Sequence, residues 1–99
     1  MRTKKEIKEQ IRLLRLQRKG IPAFSSFGDN NHKRIDGEIA ALEKALTLSE
    51  ADVKKQQDRH MDDEDGTVLR TFDWILGESD ESPVEDGEDD IWIKKAKAV

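Results

Sequence analysis

The sequence predicts an all-α protein: an antiparallel helical hairpin, a short amphipathic helix, and an acidic, partly disordered C-terminal segment. Three observations predict it. Ile7, Ile11 and Leu14, and then Ile35, Ile39, Leu42 and Leu46, recur at spacings of three and four, which gives two apolar seams joined by a short turn-rich connection. Val68, Leu69, Phe72, Ile75 and Leu76 make a third apolar face at helical spacing. Residues 78–90 carry eight acids with Gly and Pro and almost nothing apolar, and are read as disordered or loosely held.

Taken in order, residues 3–19 read as the first helix. Thr3 can cap it, and Glu6 stands three residues later as in a capping box. Leu13 and Leu16 widen the seam, while Lys5, Lys8, Arg12, Arg15 and Arg18 occupy much of the rest. Gly20 and Pro22 are read as the stop, because Gly tolerates the left-handed conformation and Pro cannot continue the ladder. Residues 20–31 are a connection rich in turn residues that nonetheless carries Ile21, Phe24 and Phe27. The second helix is expected to begin among Asp29, Asn30 and Asn31, any of which can cap it, and to run to about Leu48. Gly37 inside it costs up to ~1 kcal/mol relative to Ala and permits close approach of another backbone. Ser49 caps a polar third segment, with Asp52 three residues on, in which only Ala51 and Val53 could be buried. The segment 67–76 follows, with Asp65 as its expected cap and Gly77 past its end, and is expected to pack across the hairpin and close the core. Ile91, Trp92 and Ile93 form an apolar clip before Lys94, Lys95 and Lys97. The expected division is a helical domain over 1–77 and a tail over 78–99.

Length and composition bound the function. At 99 residues one domain is the ceiling, and with 34% hydrophobic, 5% aromatic and 40% charged residues a deep substrate pocket is not expected. One hairpin buries little, so a homodimer or higher oligomer is expected to supply missing core. The absence of cysteine removes disulfides, thiolate nucleophiles and cysteine metal sites. No run approaches the roughly 18 apolar residues of a membrane span, and the N-terminus lacks the apolar stretch of a secretory signal, so a cytoplasmic protein without membrane partners is expected. The net charge of −4 conceals segregation: residues 1–19 carry +6, residues 62–90 carry −12 and residues 91–99 carry +3.

The candidate site is the connection and the turn after it. Phe24 and Phe27 can stack or plug a pocket, and Asp29, Asn30, Asn31 and His32 offer directional hydrogen bonds at a helix N-terminus, which also attracts anions. The same residues serve equally as a structured link, with the aromatics covering the hairpin's end and Asp29 or Asn31 capping. A second, acidic contact is read at Asp62, Asp63, Glu64 and Asp65 and at Glu85, Asp86, Glu88, Asp89 and Asp90. These acids fit a solvated tail, an internal counter-charge to the first helix, or mimicry of nucleic-acid phosphates. The basic face of the first helix fits a solvated surface or phosphate contact. His60 beside the acids at 62–65 fails the EF-hand spacing, because residue 61 is Met where an acid would be required. Ser25, Ser26, Asp29 and His32 crowd into one turn, whereas a triad needs groups on separate elements. No catalytic residue, no metal and no cofactor is therefore expected, and the chain is read as a non-enzyme.

The run Ile-Pro-x-Phe-Ser-x-Phe-Gly-Asp-Asn-Asn-His-x-x-Ile-Asp at 21–36 resembles a signature of small uncharacterised proteins of bacteriophages, prophages and plasmids. The likeness is specific over these residues and loose beyond, where Ile39, Leu42, Trp74 and Trp92 match the family's helix seam and its two tryptophans. The lysine-rich end and residues 50–61 have no counterpart. The resemblance implies a bacterial or phage setting and an accessory role. The leading expectation is a non-catalytic protein that binds and modulates or inhibits a host protein or complex, in the manner of an anti-defence factor. The runner-up is a protein that sequesters a nucleotide at the 24–32 segment, and a third reading is nucleic-acid binding through the first helix.

Overall fold

Thr3 starts the first helix, α1 (Lys4–Gly20), through a complete capping box: its hydroxyl accepts from the Glu6 amide at 3.2 Å, and the Glu6 carboxylate accepts from the Thr3 amide at 3.4 Å. The computed structural model describes residues 1–21, 26–63, 66–84, 93, 94 and 97, with the side chains of 26–29 outside that description. Three further helices follow: α2 (Ser26–Thr47), α3 (Glu50–Arg59) and α4 (Thr67–Leu76). The chain is all-α among the described residues, as its apolar periodicity implies.

The ends of the helices depart from expectation at three places. Gly20 lies inside α1, and the stop falls on Ile21, which turns extended (φ −81°, ψ 124°) while its amide still donates to the Gln17 carbonyl. The residue before a proline is pushed out of the helical region, and Pro22 follows Ile21; burial of the Ile21 side chain fixes the same departure. The second helix begins at Ser26, not among Asp29 to Asn31, so those three sit within its first turns. The cap of α4 is Gly66 at φ 66°, with no side-chain cap, in place of Asp65. Two expected boundaries are met. Ser49 Oγ accepts from the Asp52 amide at 3.3 Å and donates to the Asp52 carboxylate at 3.0 Å. Gly77 at φ 80° closes α4, with the Glu78 amide reaching back to the Asp73 carbonyl at 2.9 Å.

Packing then follows from the seams. Ile7 and Leu14 of α1, Ile35 and Leu42 of α2, and Ile75 of α4 are wholly removed from solvent, and Phe72 is nearly so. Ile39 and Leu46 are half-buried against this cluster. Arg18 pairs with Asp36 at 2.8 Å and Arg15 with Glu43 at 2.9 Å, so stepping back along α1 means stepping forward along α2. The helix α4 packs against both α2 and α3. Val53 is the one fully buried apolar residue of α3, while Ala51 stays exposed. Phe72 and Ile75 of α4 thus join the core cluster, while Leu16, Ile39 and Leu46 stay half-buried.

The close approach read at Gly37 is to a side chain: a Cβ built there would stand 3.7 Å from Val68 Cγ2, an ordinary contact. Gly37→Ala is accordingly expected to raise the unfolding free energy by about 0.5–1 kcal/mol through helix propensity and a less flexible unfolded chain. A urea melt checks it through a midpoint that moves up with an unchanged slope.

The start of the acidic tail makes contacts with the N-terminal segment. Val84 packs against the core and its amide donates to the Gln10 side chain at 3.4 Å, while Ser79 and Asp80 are engaged by Arg2. These contacts come from the N-terminal segment, which no local composition of 78–84 announces. Ile93 of the apolar clip is buried.

Candidate functional site

The structure divides the expected 24–32 site. Phe24 lies outside the described residues, as do the side chains of Phe27 and Asp29, whose backbones belong to α2. Asn30 is exposed. Asn31 is half-buried and its Oδ1 accepts from Arg34 one turn on, at 3.4 Å. His32 stands 3.0 Å through Nε2 from the Ile21 carbonyl, so the Nε2–H tautomer donates to it and ties the end of α1 to α2. That bond occupies the ring nitrogen and gives His32 a connecting role.

Of the acidic contact, Asp62 and Asp63 are exposed in the turn between α3 and α4, and Asp63 accepts from His60 Nδ1 at 2.5 Å. Glu64, Asp65, Glu85, Asp86, Glu88, Asp89 and Asp90 lie outside the described residues. Among the described residues, no three His, Asp or Glu side chains converge to hold a metal ion.

A different surface is assembled from the outer face of α1 and the adjoining edge of α2. Lys8, Arg12, Arg15 and Lys19 fall at helical spacing along one side of α1, the side next to its buried seam. They rim a groove of about 560 Å³ whose floor is Ile11, Leu16 and Leu46, with Glu43 at the α2 edge. Ile11 is buried, whereas Leu16 and Leu46 are half-buried, so the floor is partly open to solvent. Among the described residues, two of the four cations have partners. Arg15 bonds Glu43 across the helices, and Arg12 forms a two-pronged pair with Glu9 three residues before it. The hydrogen bond from Arg12 holds the Glu9 carboxyl below the usual carboxylate range; desolvation opposes it, and the charges of Arg12 and then Lys97 add to the lowering. The same bond pushes the Arg12 guanidinium further up.

The basic face was visible in the sequence as five cations on the first helix. What the sequence did not announce was the apolar floor beneath it. Leu16 stands two residues from Leu14 and so sits at the margin of the seam, and Leu46 is the last position of its own. A seam read only as core hides the half of it left at the edge.

A second, smaller cleft of about 50 Å³ lies between α2, α4 and the segment 79–83. It contains the ion pair Arg34–Glu38 at 2.7 Å, with Thr67, Thr71 and Arg70 around it. Glu38 falls within the apolar seam, three residues after Ile35 and four before Leu42, and its burial is made tolerable by the guanidinium one turn before it. The cleft has room for about one or two waters, and its cations and carboxylates are balanced.

None of the described helices is long and apolar enough to cross a membrane. No family model, curated protein or solved structure matches the chain.

Proposed function

We propose that this chain is a small, non-catalytic accessory protein that binds a macromolecular partner through the groove between α1 and α2, and modulates or inhibits that partner. The observation that carries the reading is the groove itself: four cations in register over a half-open floor of Leu16 and Leu46. Such a surface offers long-range attraction to an acidic partner and apolar area for it to bury. The pairing order of Arg15 and Arg18 with Glu43 and Asp36 supports reading α1 and α2 as the antiparallel hairpin that presents it. The likeness of residues 21–36 to the phage, prophage and plasmid signature supports a bacterial host as the setting, and a host protein or complex as the partner.

A row of cations also favours nucleic acid as a second reading. Affinity purification from bacterial lysate, with and without nuclease, tests both. The wild-type chain is expected to retain a partner that survives nuclease treatment, and Arg12→Ala with Arg15→Ala and Leu16→Ser is expected to lose it. A partner lost on nuclease treatment would favour the second reading, and retention unchanged by the triple variant would rule out the groove.

A further inference from the structure

We infer that the occupant of this groove is an amphipathic helix with an acidic border and a leucine-type stripe, presented by another protein. The inference rests on the groove being the binding surface. Three features select the occupant. First, the groove runs from Lys8 to Lys19, about 16 Å of helix, which matches about three turns of a second helix laid alongside. Second, its floor is Leu16 and Leu46, which offer an apolar occupant contacts that a phosphate backbone would not use. Third, Arg12 and Arg15 already bond Glu9 and Glu43, which offset part of the groove's positive charge. A nucleic acid gains affinity by replacing many counterions, and few cations are available here for that. Carboxylates of a partner helix can instead share the guanidinium donors that Glu9 and Glu43 leave over, since each Arg has five. A second copy seated groove to groove would set these four cations against the same four, so the charge disfavours an isologous dimer at this face.

The test titrates the full chain with a panel of designed helical peptides of about 14–18 residues bearing leucines at helical spacing flanked by Glu. Controls carry Ser for Leu, or Lys for Glu, and a duplex DNA is included. Amide and methyl NMR shifts report the site, and fluorescence anisotropy the affinity. At least one Leu/Glu peptide is expected to bind, to move the signals of Lys8, Leu16, Lys19 and Leu46, and to weaken several-fold as salt rises from 50 to 200 mM. Leu16→Asp is expected to weaken it at least tenfold. Lys8→Ala with Lys19→Ala, both exposed and harmless to the fold, is expected to weaken it several-fold. Equal binding of the Ser control, tighter groove binding by the duplex, or a groove-mediated dimer in sedimentation would each overturn the acidic-helix occupant. A panel that leaves the groove signals unmoved would also overturn it, and the reading of the groove as a binding surface would still stand if lysate retention depends on Arg12, Arg15 and Leu16. Loss of both results would remove the two together.

Discussion

Phe72→Ala is expected to lower the unfolding free energy by about 3–5 kcal/mol, the range for truncating a fully buried aromatic. Phe72 is 1% exposed, belongs to the helix that packs against both α2 and α3, and stacks on His60 at 5.8 Å between ring centres. Its removal deletes the apolar area that holds α4 down and leaves a cavity, and the surrounding helices relax into it only in part. Small domains have about 5–15 kcal/mol in total, so the loss takes a large part of the stability. For a chain of this length each kcal/mol is worth about 4–8 °C, which puts the melting temperature at least about 12 °C lower. Thermal and urea unfolding followed by far-UV circular dichroism measure it, and Phe72→Leu is expected to cost much less because most of the volume is kept. A cost under about 1 kcal/mol for Phe72→Ala would mean that α4 is not part of the core.

Arg2→Ala is expected to cost about 2–3 kcal/mol, a large effect for the second residue of a chain. The guanidinium lies 5.1 Å from the Trp74 ring centre, donates through Nε to the Trp74 carbonyl at 3.0 Å, and donates through Nη2 to the Ser79 carbonyl at 2.9 Å. The Arg2 amide also donates to the Ile75 carbonyl at 2.7 Å, a bond that survives the substitution. Arg2 thus adds a donor to the Trp74 carbonyl, which also accepts from the Gly77 amide, ties the segment after α4 through the Ser79 carbonyl, and places a cation at the negative end of the α4 dipole. Charge-assisted hydrogen bonds contribute about 1.5–3 kcal/mol and a partly desolvated cation over an indole about 1–2 kcal/mol, and contributions sharing one side chain do not add in full. The contacts to Glu6 and Asp80 are long and exposed and contribute little. The melting temperature is expected to fall by roughly 10–20 °C. Arg2→Lys is expected to recover less than half of the loss, because a point charge cannot fork between two carbonyls while covering the ring. Full recovery by Lys would assign the effect to charge alone.

The contrast between these two residues shows what the sequence could disclose. Phe72 was legible because it repeats with Leu69, Ile75 and Leu76 on one helical face, and a periodic signal needs no knowledge of the rest of the fold. The Thr3–Glu6 box and the Ser49 cap were legible for the same reason: both partners lie within one turn. Arg2 was not, since its partners stand 72 and 77 residues away and no local pattern couples them. The same applies to 78–84, whose composition describes a solvated tail while Arg2 and Gln10 hold it in place. The start of α2 at Ser26 is hidden from a local reading because Asp29 to Asn31 are good caps in isolation. The groove was half legible, as a basic face, and its floor was hidden because edge positions of a seam look like core until the neighbouring helix is placed.

Leu16 and Leu46 share one floor because α1 and α2 lie side by side in opposite directions. The chain has no cysteine, so paired cysteines at exposed positions can be spin-labelled uniquely and their separation read by double electron–electron resonance. Lys4 and Arg18 are separated by about 21 Å along α1, which gives the comparison its range. The antiparallel arrangement predicts short separations for Arg18→Cys with Asp36→Cys and for Lys4→Cys with Thr47→Cys, and a clearly longer one for Lys4→Cys with Asp36→Cys. A short Lys4–Asp36 distance, or long distances for all three pairs, would contradict it.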